Sequence, residues 1–411
     1  MAEWRVPFGS LKITESAKRR LNSVASSDWV SEGCYVREFE EKFAEKFGWR
    51  YAIATSSGTD AGIVVWAAIR ELSGLMPTVG IAGRGTFASS YGAVITPACA
   101  FVATMNCIMA AGLVPAVADI SIHDLNLSPD ACNAVVNDNG IIGIQFVATM
   151  GKPSPLIQVA EIADKNDLWL VGDFCEAHGA KLIFDESASL GALPRTFTKT
   201  IYADHFCDAS IYSFYAAHMV VGGEGGIICT NNDELASMCR SVKSHGRPAS
   251  GYFDFQRIGY NSKWNEFCAA VALGSLEHFD ETFERRRDVR AKLLRALEPF
   301  ESKLILYRDG PGEIISPHAF PIVLRYYDAL NSGFRPLYCA LEAKGIQCKT
   351  LFGSLPTQHQ AFKFLGYEEG TFPVAERVGR TGLHFGCHEF MTDDDVGLIA
   401  DTIGEFFDNI Y

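Results

Sequence analysis

The sequence predicts an α/β fold, a large domain on a mainly parallel sheet followed by a smaller α+β domain. Three observations carry that prediction. From about residue 50 to 245, short apolar runs alternate with helical ones, the pattern of βαβ units. Residues 264–300 read as one long helix, apolar first (NEFCAAVALGSLEHF) and then charged (ETFERRRDVRAKLLRALE), of the kind that bridges two domains. Beyond it, strands near LILYR, AFPIVLRY and CKTLF are interspersed with helices at 333–344 and 392–408. The expected division is a large domain over 1–263 with an N-terminal helical segment, the bridging helix over 264–300, and a small domain over 301–411.

The elements follow in order. Residues 33–47 place Val36, Phe39, Phe43 and Phe47 at helical spacing with charges between them, an amphipathic helix. YAIATSSGTDAGIVVWAAIREL is a short apolar strand, a Ser/Gly/Thr turn and a helix. AVITP, VPAVADI, GIIGIQFVA, LWLVGD, ASIYSF and GIICT supply further strands, with helices over 103–111, 154–165 and 232–244 between several of them. The most apolar stretch, 91–118, is broken by Pro97, Asn106 and Pro115, so it reads as strand, helix, strand and not as a membrane span. Segments 73–91 and 185–207 are longer than ordinary connections and read as surface loops or pocket lids.

The 411 residues carry 36 Lys and Arg against 49 Asp and Glu, a net charge of −13, and 48% are hydrophobic. That is enough apolar side chain for a large core. The acidic balance argues against nucleic acid or an anionic membrane as partner, since both need a basic face that displaces counterions. A local basic pocket for one small anion stays compatible with it. The twelve cysteines are scattered, with no CxxC pair and no metal-finger spacing. They read as reduced, mostly buried thiols of a cytoplasmic protein, and no metal site is expected. No apolar run follows the charges of MAEWRVPFGSLKITESAKRR, so no secretory signal is expected.

Three segments carry candidate chemistry jointly. Ser56, Ser57, Gly58 and Thr59 stand where a strand turns into a helix, where free N–H groups and the helix dipole favour an anion; alone, they equally read as a helix cap. Asp173 follows an apolar strand, the place of a ligand-facing residue in an α/β sheet or of a simple cap. Ser213 to His218 (SFYAAH) precede Gly222-Gly223-Glu224-Gly225-Gly226, a turn that permits close backbone approach.

In order and spacing these segments resemble the fold-type I, pyridoxal-phosphate-dependent sugar aminotransferase family of DegT/DnrJ/EryC1/StrS type, over nearly the whole chain. SSGTDA resembles its phosphate-binding turn, PACAFVATMNCI its cofactor-stacking segment, GDFCEAHGA its pyridinium-binding segment, GYNSKWNEFCAAVAL its dimer-crossing segment and TGLHFGCHEFMTDDDV its closing pattern. The resemblance implies a seven-stranded-type large domain. It assigns phosphate binding to Ser57, Gly58, Thr59 and Ser213, ring stacking to Phe101, the pyridinium partner to Asp173 and an approach to the phenolic oxygen to Glu176. Plain core packing is the other reading of Phe101. Asn261 and Lys263 match residues that reach a phosphate across a homodimer interface, and His245 and Arg247 resemble a segment near the sugar, the first as a second catalytic group and the second as a substrate contact. A solvated turn is their alternative. His384 and His388 read as parts of the closing strand and loop.

The informative departure is His218. Where the family has SFxxxK, with lysine forming the Schiff base to the cofactor, this chain reads SFYAAH, and no lysine occurs between Lys199 and Lys243. Histidine forms no stable covalent link to the aldehyde but is a good acid/base near neutral pH. The swap resembles the branch of nucleotide-sugar 3-dehydratases that make 3,6-dideoxy sugars, as in lipopolysaccharide O-antigen synthesis. It implies a cofactor held as pyridoxamine phosphate or pyridoxal phosphate without a covalent link, a nucleotide-linked 4-keto-6-deoxyhexose as substrate, and loss of its C3 hydroxyl with His218 as acid/base. Some of these dehydratases bind an iron–sulphur cluster through cysteines after the HGR-like segment. Here SHGRPASGYFDFQRIGYNSK has none, so no cluster and no reductase are expected, and L-glutamate is the implied donor that restores the amine. Two readings stay open beside this one: an aminotransferase-like enzyme with a non-covalent cofactor, and a catalytically silent cofactor-binding homologue.

Overall fold

The computed structural model describes residues 4–75, 92–138, 140–185, 198–248, 250, 252–325 and 333–409. The strands are β1 (Tyr51–Thr55), β2 (Ala93–Pro97), β3 (Val114–Ala118), β4 (Ile141–Val147), β5 (Trp169–Asp173), β6 (Lys181–Asp185), β7 (Thr198–Tyr202), β8 (Ala209–Ser213), β9 (Gly226–Thr230), β10 (Leu304–Leu306), β11 (Glu313–Ile314), β12 (Ala319–Leu324), β13 (Cys348–Thr350) and β14 (Gly382–Gly386). The large sheet has seven strands in the order β1-β9-β8-β5-β4-β2-β3. Only β9 in it runs antiparallel to its neighbours. The C-terminal ends of β1, β4, β5 and β8 therefore share one edge, and in such sheets that edge carries the ligand crevice.

Both faces of this sheet are covered, which is why its strands are apolar on both sides. On one face, Val64, Val65, Trp66 and Ile69 of the helix Gly58–Leu72 pack with Leu235 and Cys239 of the helix Asp233–Lys243. On the other, the helix Cys34–Phe47 buries the predicted stripe, Val36, Phe39, Phe43 and Phe47. The Phe39 ring meets that of Phe214 at 4.9 Å and Phe43 meets Tyr212 at 5.2 Å. Each such phenyl contributes about 1.5–3 kcal/mol of burial.

Four antiparallel strands form the smaller sheet, β10-β12-β14-β13. The helices Phe279–Leu297, Arg335–Ala343 and Asp393–Asp408 cover it through Leu293, Leu297, Leu337, Leu341, Ile399 and Ile403. The start of the described chain crosses to this sheet: Val6 bridges Ile346, and the Phe8 N–H donates to Gln347 Oε1 at 2.8 Å. A further apolar cluster joins Ala98, Cys99 and Met105 to Val323, Leu351 and Phe372 and so fixes the small sheet over the large sheet's edge.

Two expectations are corrected. Residues 264–300 do not form one helix but two, Glu266–Leu276 and Phe279–Leu297. His278, at φ −105° and ψ 11°, leaves helical geometry. At the break Glu277 turns to Arg20 (2.5 Å) and Ser16 (2.6 Å) on the helix Glu15–Ser27. The apolar half is thereby buried against the helices Glu15–Ser27 and Cys34–Phe47, while the charged half follows the small sheet. Within 185–207, residues 198–202 are strand, not loop: β6 and β7 pair antiparallel and β11 extends them to a three-stranded sheet. Residues 186–197 of that segment, and 76–91 of the other long one, lie outside the described residues. All twelve cysteines are free thiols and eight are buried. Among the described residues no helix is long and apolar enough to cross a membrane.

Candidate active site

At the C-terminal edge of the large sheet a cavity of about 360 Å³ opens beneath the small sheet. Its floor is Ser57, Gly58, Thr59, Asp173 and Ser213; Phe101, Glu176, Tyr215 and His218 form walls, and His318, Lys349, Phe352, His384 and Phe8 close it from above. Eight residues assigned by the family resemblance are thus brought together with Glu224 of the glycine run.

The floor is built by close approach. Ser57 caps the helix Gly58–Leu72, its Oγ accepting from the Asp60 N–H at 3.0 Å. A Cβ on Gly58 would stand 2.7 Å from Ser213 Cβ and 3.1 Å from Cys175 Sγ, so only glycine lets β8 and the helix start converge. Gly226 answers the same demand opposite, where a Cβ would come within 2.3 Å of the Ser57 carbonyl oxygen. The first-turn N–H groups and hydroxyls of Ser57, Thr59 and Ser213 make an anion cup.

Asp173 is the last residue of β5, and its Oδ1 accepts from the Cys175 N–H at 3.1 Å while Thr104 Oγ1 lies 3.4 Å from Oδ2. Burial pushes this carboxyl up, and no cation among the described residues pairs with it. The Phe101 ring, expected either to stack or to fill the core, is 58% exposed and meets Phe352 edge-on at 5.9 Å. A half-buried carboxylate without a cation partner among the described residues, an open aromatic face and an anion cup fit pyridoxal or pyridoxamine phosphate: pyridinium at Asp173, ring beside Phe101, phosphate at Ser57 to Thr59 and Ser213.

His218 follows the turn in which Tyr215 bridges Gly223. Its ring is buried, and Nδ1 has no hydrogen-bond partner among the described residues. Burial, then the charges of Arg286 and Lys349, push it down to about 3, so near neutrality it is an uncharged base. Burial first also pushes His318 and His178 well below the usual range and His384 down to about 3. Glu176 goes the other way, up to about 7, because burial outweighs the Met150 N–H that its Oε2 accepts at 2.7 Å.

Other assigned residues lie apart within this chain. His245 is exposed, with φ 63° and its N–H donating to the Tyr260 carbonyl at 2.8 Å. The Arg247 guanidinium sits over the Phe253 ring at 4.6 Å, and Lys263 Nζ donates to Asn261 Oδ1 at 2.5 Å. None of the four lines the cavity. His388 also stays outside, its Nδ1 accepting from the Phe390 N–H at 3.4 Å.

His384 is where the sequence places it, on the closing strand, but it faces the cavity and is no mere strand residue. Sequence reasoning missed Lys349 and His318 altogether. Lys349 pairs with His384 across β13 and β14, and its ammonium lies 3.9 Å from the centre of the Phe8 ring. Burial lowers its pKa and Glu176 opposes that. Only cross-strand pairing brings these groups over His218, and no local motif encodes it.

A DegT/DnrJ/EryC1/StrS aminotransferase family model matches residues 11–404. The dTDP-4-dehydro-2,6-dideoxy-D-glucose 3-dehydratase of Saccharopolyspora spinosa is 28% identical over 430 residues, covering 97% of this chain and 86% of its own. The GDP-perosamine synthase of Escherichia coli O157:H7 is 24% identical over 406 residues, with 98% of each chain covered. The solved structure of the E. coli GDP-4-keto-6-deoxy-D-mannose-3-dehydratase with bound hydrated PLP matches in fold, with a TM-score of 0.80 at 20% identity over 97% of this chain and 99% of that one. A cavity fitted for the cofactor and a family match over almost its whole length lead to one conclusion: this chain belongs to the DegT/DnrJ/EryC1/StrS aminotransferase family, with pyridoxal phosphate as its cofactor.

Proposed function

We propose that the protein removes the C3 hydroxyl of a nucleotide-linked 4-keto-6-deoxyhexose, using pyridoxamine phosphate that L-glutamate restores. The observation that carries this reading is His218: the SFxxxK position holds a buried, uncharged imidazole on the wall of the cofactor cavity. Bound there, the cofactor supplies the amine that condenses with the C4 ketone and a ring that withdraws electrons as the C3 hydroxyl leaves.

The chain's own residues do the rest. Ser57, Gly58, Thr59 and Ser213 hold the phosphate, and Asp173, with no cation of its own, keeps a ring nitrogen protonated opposite it. Phe101 covers the ring and excludes water from one face. His218 takes a proton at the ring nitrogen turned to the cavity and returns one to the departing C3 oxygen, which leaves as water. Burial, then the charges of Arg286 and Lys349, keep the imidazole uncharged and open to a proton near neutrality, and a proton placed on it is readily given up again. Hydrolysis takes water up again as ammonia is released, so the products are ammonia and a 4-keto-3,6-dideoxy sugar one oxygen atom lighter than the substrate.

The same reading gives a homodimer, with Asn261, Lys263, His245 and Arg247 serving the partner copy's site. The segment between them supports it, since Tyr252, Phe253, Phe255 and Ile258 are 74%, 78%, 55% and 57% exposed, a large apolar surface for a lone chain. Equilibrium sedimentation should give twice the chain mass; a monomer at assay concentration contradicts it.

The function is tested by loading the protein with pyridoxamine phosphate, adding glutamate and several nucleotide 4-keto-6-deoxy sugars, and weighing the products. A sugar product one oxygen atom lighter than the substrate, with release of ammonia, is expected. A stable amino sugar that keeps its C3 oxygen overturns dehydration in favour of transamination.

A further inference from the structure

His218 is held by its backbone and not through its Nδ1. An acid/base histidine is commonly oriented by a group bonded to the ring nitrogen away from the substrate, yet no described residue bonds to Nδ1 here. The rings of His318, Tyr215 and His178 pack around it at 4.9, 5.9 and 6.1 Å, centre to centre. The backbone, by contrast, is bonded on both sides of the residue. Its N–H donates to the Tyr215 carbonyl at 3.0 Å. Arg286, on the helix Phe279–Leu297, donates through one terminal nitrogen to the His218 carbonyl at 3.1 Å and through the other to the Ala217 carbonyl at 3.4 Å.

Those two carbonyls belong to the two peptide planes that meet at the His218 α-carbon. With both planes fixed, the direction of the Cα–Cβ bond is fixed too, and with it the line along which the imidazole enters the cavity. A guanidinium suits this task because its planar fork presents donors on several edges at once. The remaining nitrogen, Nε, donates at 2.8 Å to Oε2 of Glu389, in the loop that follows β14. The Arg286 side chain is only 1% exposed, and desolvating such a charge cancels much of what its ion pair returns, so stability alone is a poor reason for it. The turn is hemmed in opposite, where a Cβ on Gly9 would stand 3.0 Å from Ala217 Cβ.

Resting on the placement of His218 against the cofactor, we infer that Arg286 is a positioning residue: it aims residue 218 by clamping the peptides on either side of it, and Glu389 in turn holds Arg286. Proton transfer needs hydrogen-bond reach, and a misplacement of about 1 Å costs on the order of 10²-fold in rate. A backbone clamp from the helix that leads into the small domain thus stands in for a partner on the ring. The same side chain ties residue 218 to the loop after β14. Arg286→Lys keeps the charge but loses the fork, since one point-like ammonium cannot meet two carbonyls and a carboxylate in the same geometry.

The test is made in the His218→Lys background, where the rate at which residue 218 bonds to pyridoxal phosphate, read by borohydride trapping and peptide mass, reports its aim without any sugar. Adding Arg286→Lys should slow bonding by about 10²-fold and adding Glu389→Gln by about tenfold, with cofactor affinity within about twofold because the anion cup is untouched. Millimolar guanidinium should restore part of the rate to Arg286→Ala. In cofactor-free protein with His218 in place, Arg286→Lys should quicken amide exchange in the peptide 214–222 and leave that of 58–72 unchanged. An unaltered trapping rate, or one that falls only in step with affinity and melting temperature, overturns the proposal. Should Arg286→Lys not fold, Glu389→Gln decides by the same criterion. A His218→Lys parent that folds and binds cofactor but bonds none overturns the placement of residue 218 and this proposal with it. A wild type that makes only an amino sugar overturns dehydration and leaves the trapping comparison standing.

Discussion

Gly58 and Ser213 approach so closely that a side chain on the first would collide with the second, its Cβ standing 2.7 Å from Ser213 Cβ. That approach joins the end of β8 to the start of the helix Gly58–Leu72 and shapes the anion cup. Gly58→Ala should therefore push the two apart at about 1–3 kcal/mol, typical of overpacking. Fluorescence titration with pyridoxal phosphate should show affinity weakened by about tenfold, with a lower melting temperature for the cofactor-free protein. Unchanged affinity would contradict the assignment of the cup.

Phe101 separates stacking from packing. Because its ring is 58% exposed, Phe101→Ala should change the stability of the cofactor-free protein by only about 0.5 kcal/mol. Loss of an aromatic partner worth about 0.5–1.5 kcal/mol should still release cofactor up to about tenfold faster. Calorimetry and a stopped-flow dilution test the two halves separately. A large loss of stability with unaltered release would mark Phe101 as core.

Glu176 gives a pH signature of defined sign. Its pKa rises on folding from the ordinary 4.5 to about 7, so between those values the folded state binds the extra proton. Its contribution is fully present below about pH 4.5 and is lost as pH climbs through about 7. Glu176→Gln should remove that loss, making the cofactor-free variant more stable than wild type by of order 3 kcal/mol at pH 8 and closing the gap at pH 5. Urea melts at the two pH values measure it; a gap that does not change with pH would contradict the raised pKa.

The floor of the site was legible because it is local. Ser57 to Thr59, Asp173 and SFYAAH each sit where a strand of the large sheet ends, and alternating strand and helix patterns bring those ends to one edge. The roof was not legible, for it depends on register between distant strands. Lys349 reaches the cavity because it pairs with His384, and Pro321 pairs with His384 on the other side, placing His318 at the mouth of β12. The single helix expected over 264–300 failed for a related reason. Its period continues through His278, and only the contacts of Glu277 with Arg20 and Ser16 reveal the bend. His245, Arg247, Asn261 and Lys263 were legible by position, yet in one chain they gather beside the exposed 252–258 surface and away from the cavity.

The central claim is that residue 218 stands where the family's lysine would meet the cofactor. The most direct measurement is on His218→Lys: incubate with pyridoxal phosphate, reduce with borohydride, digest, and weigh the peptide that carries residue 218. The account predicts a cofactor mass fixed to that lysine and absent from the wild-type peptide, together with a fall of about 10²-fold or more in formation of the 3-deoxy product. A variant peptide free of cofactor, from protein that still folds and binds it, would show that residue 218 does not face the cofactor.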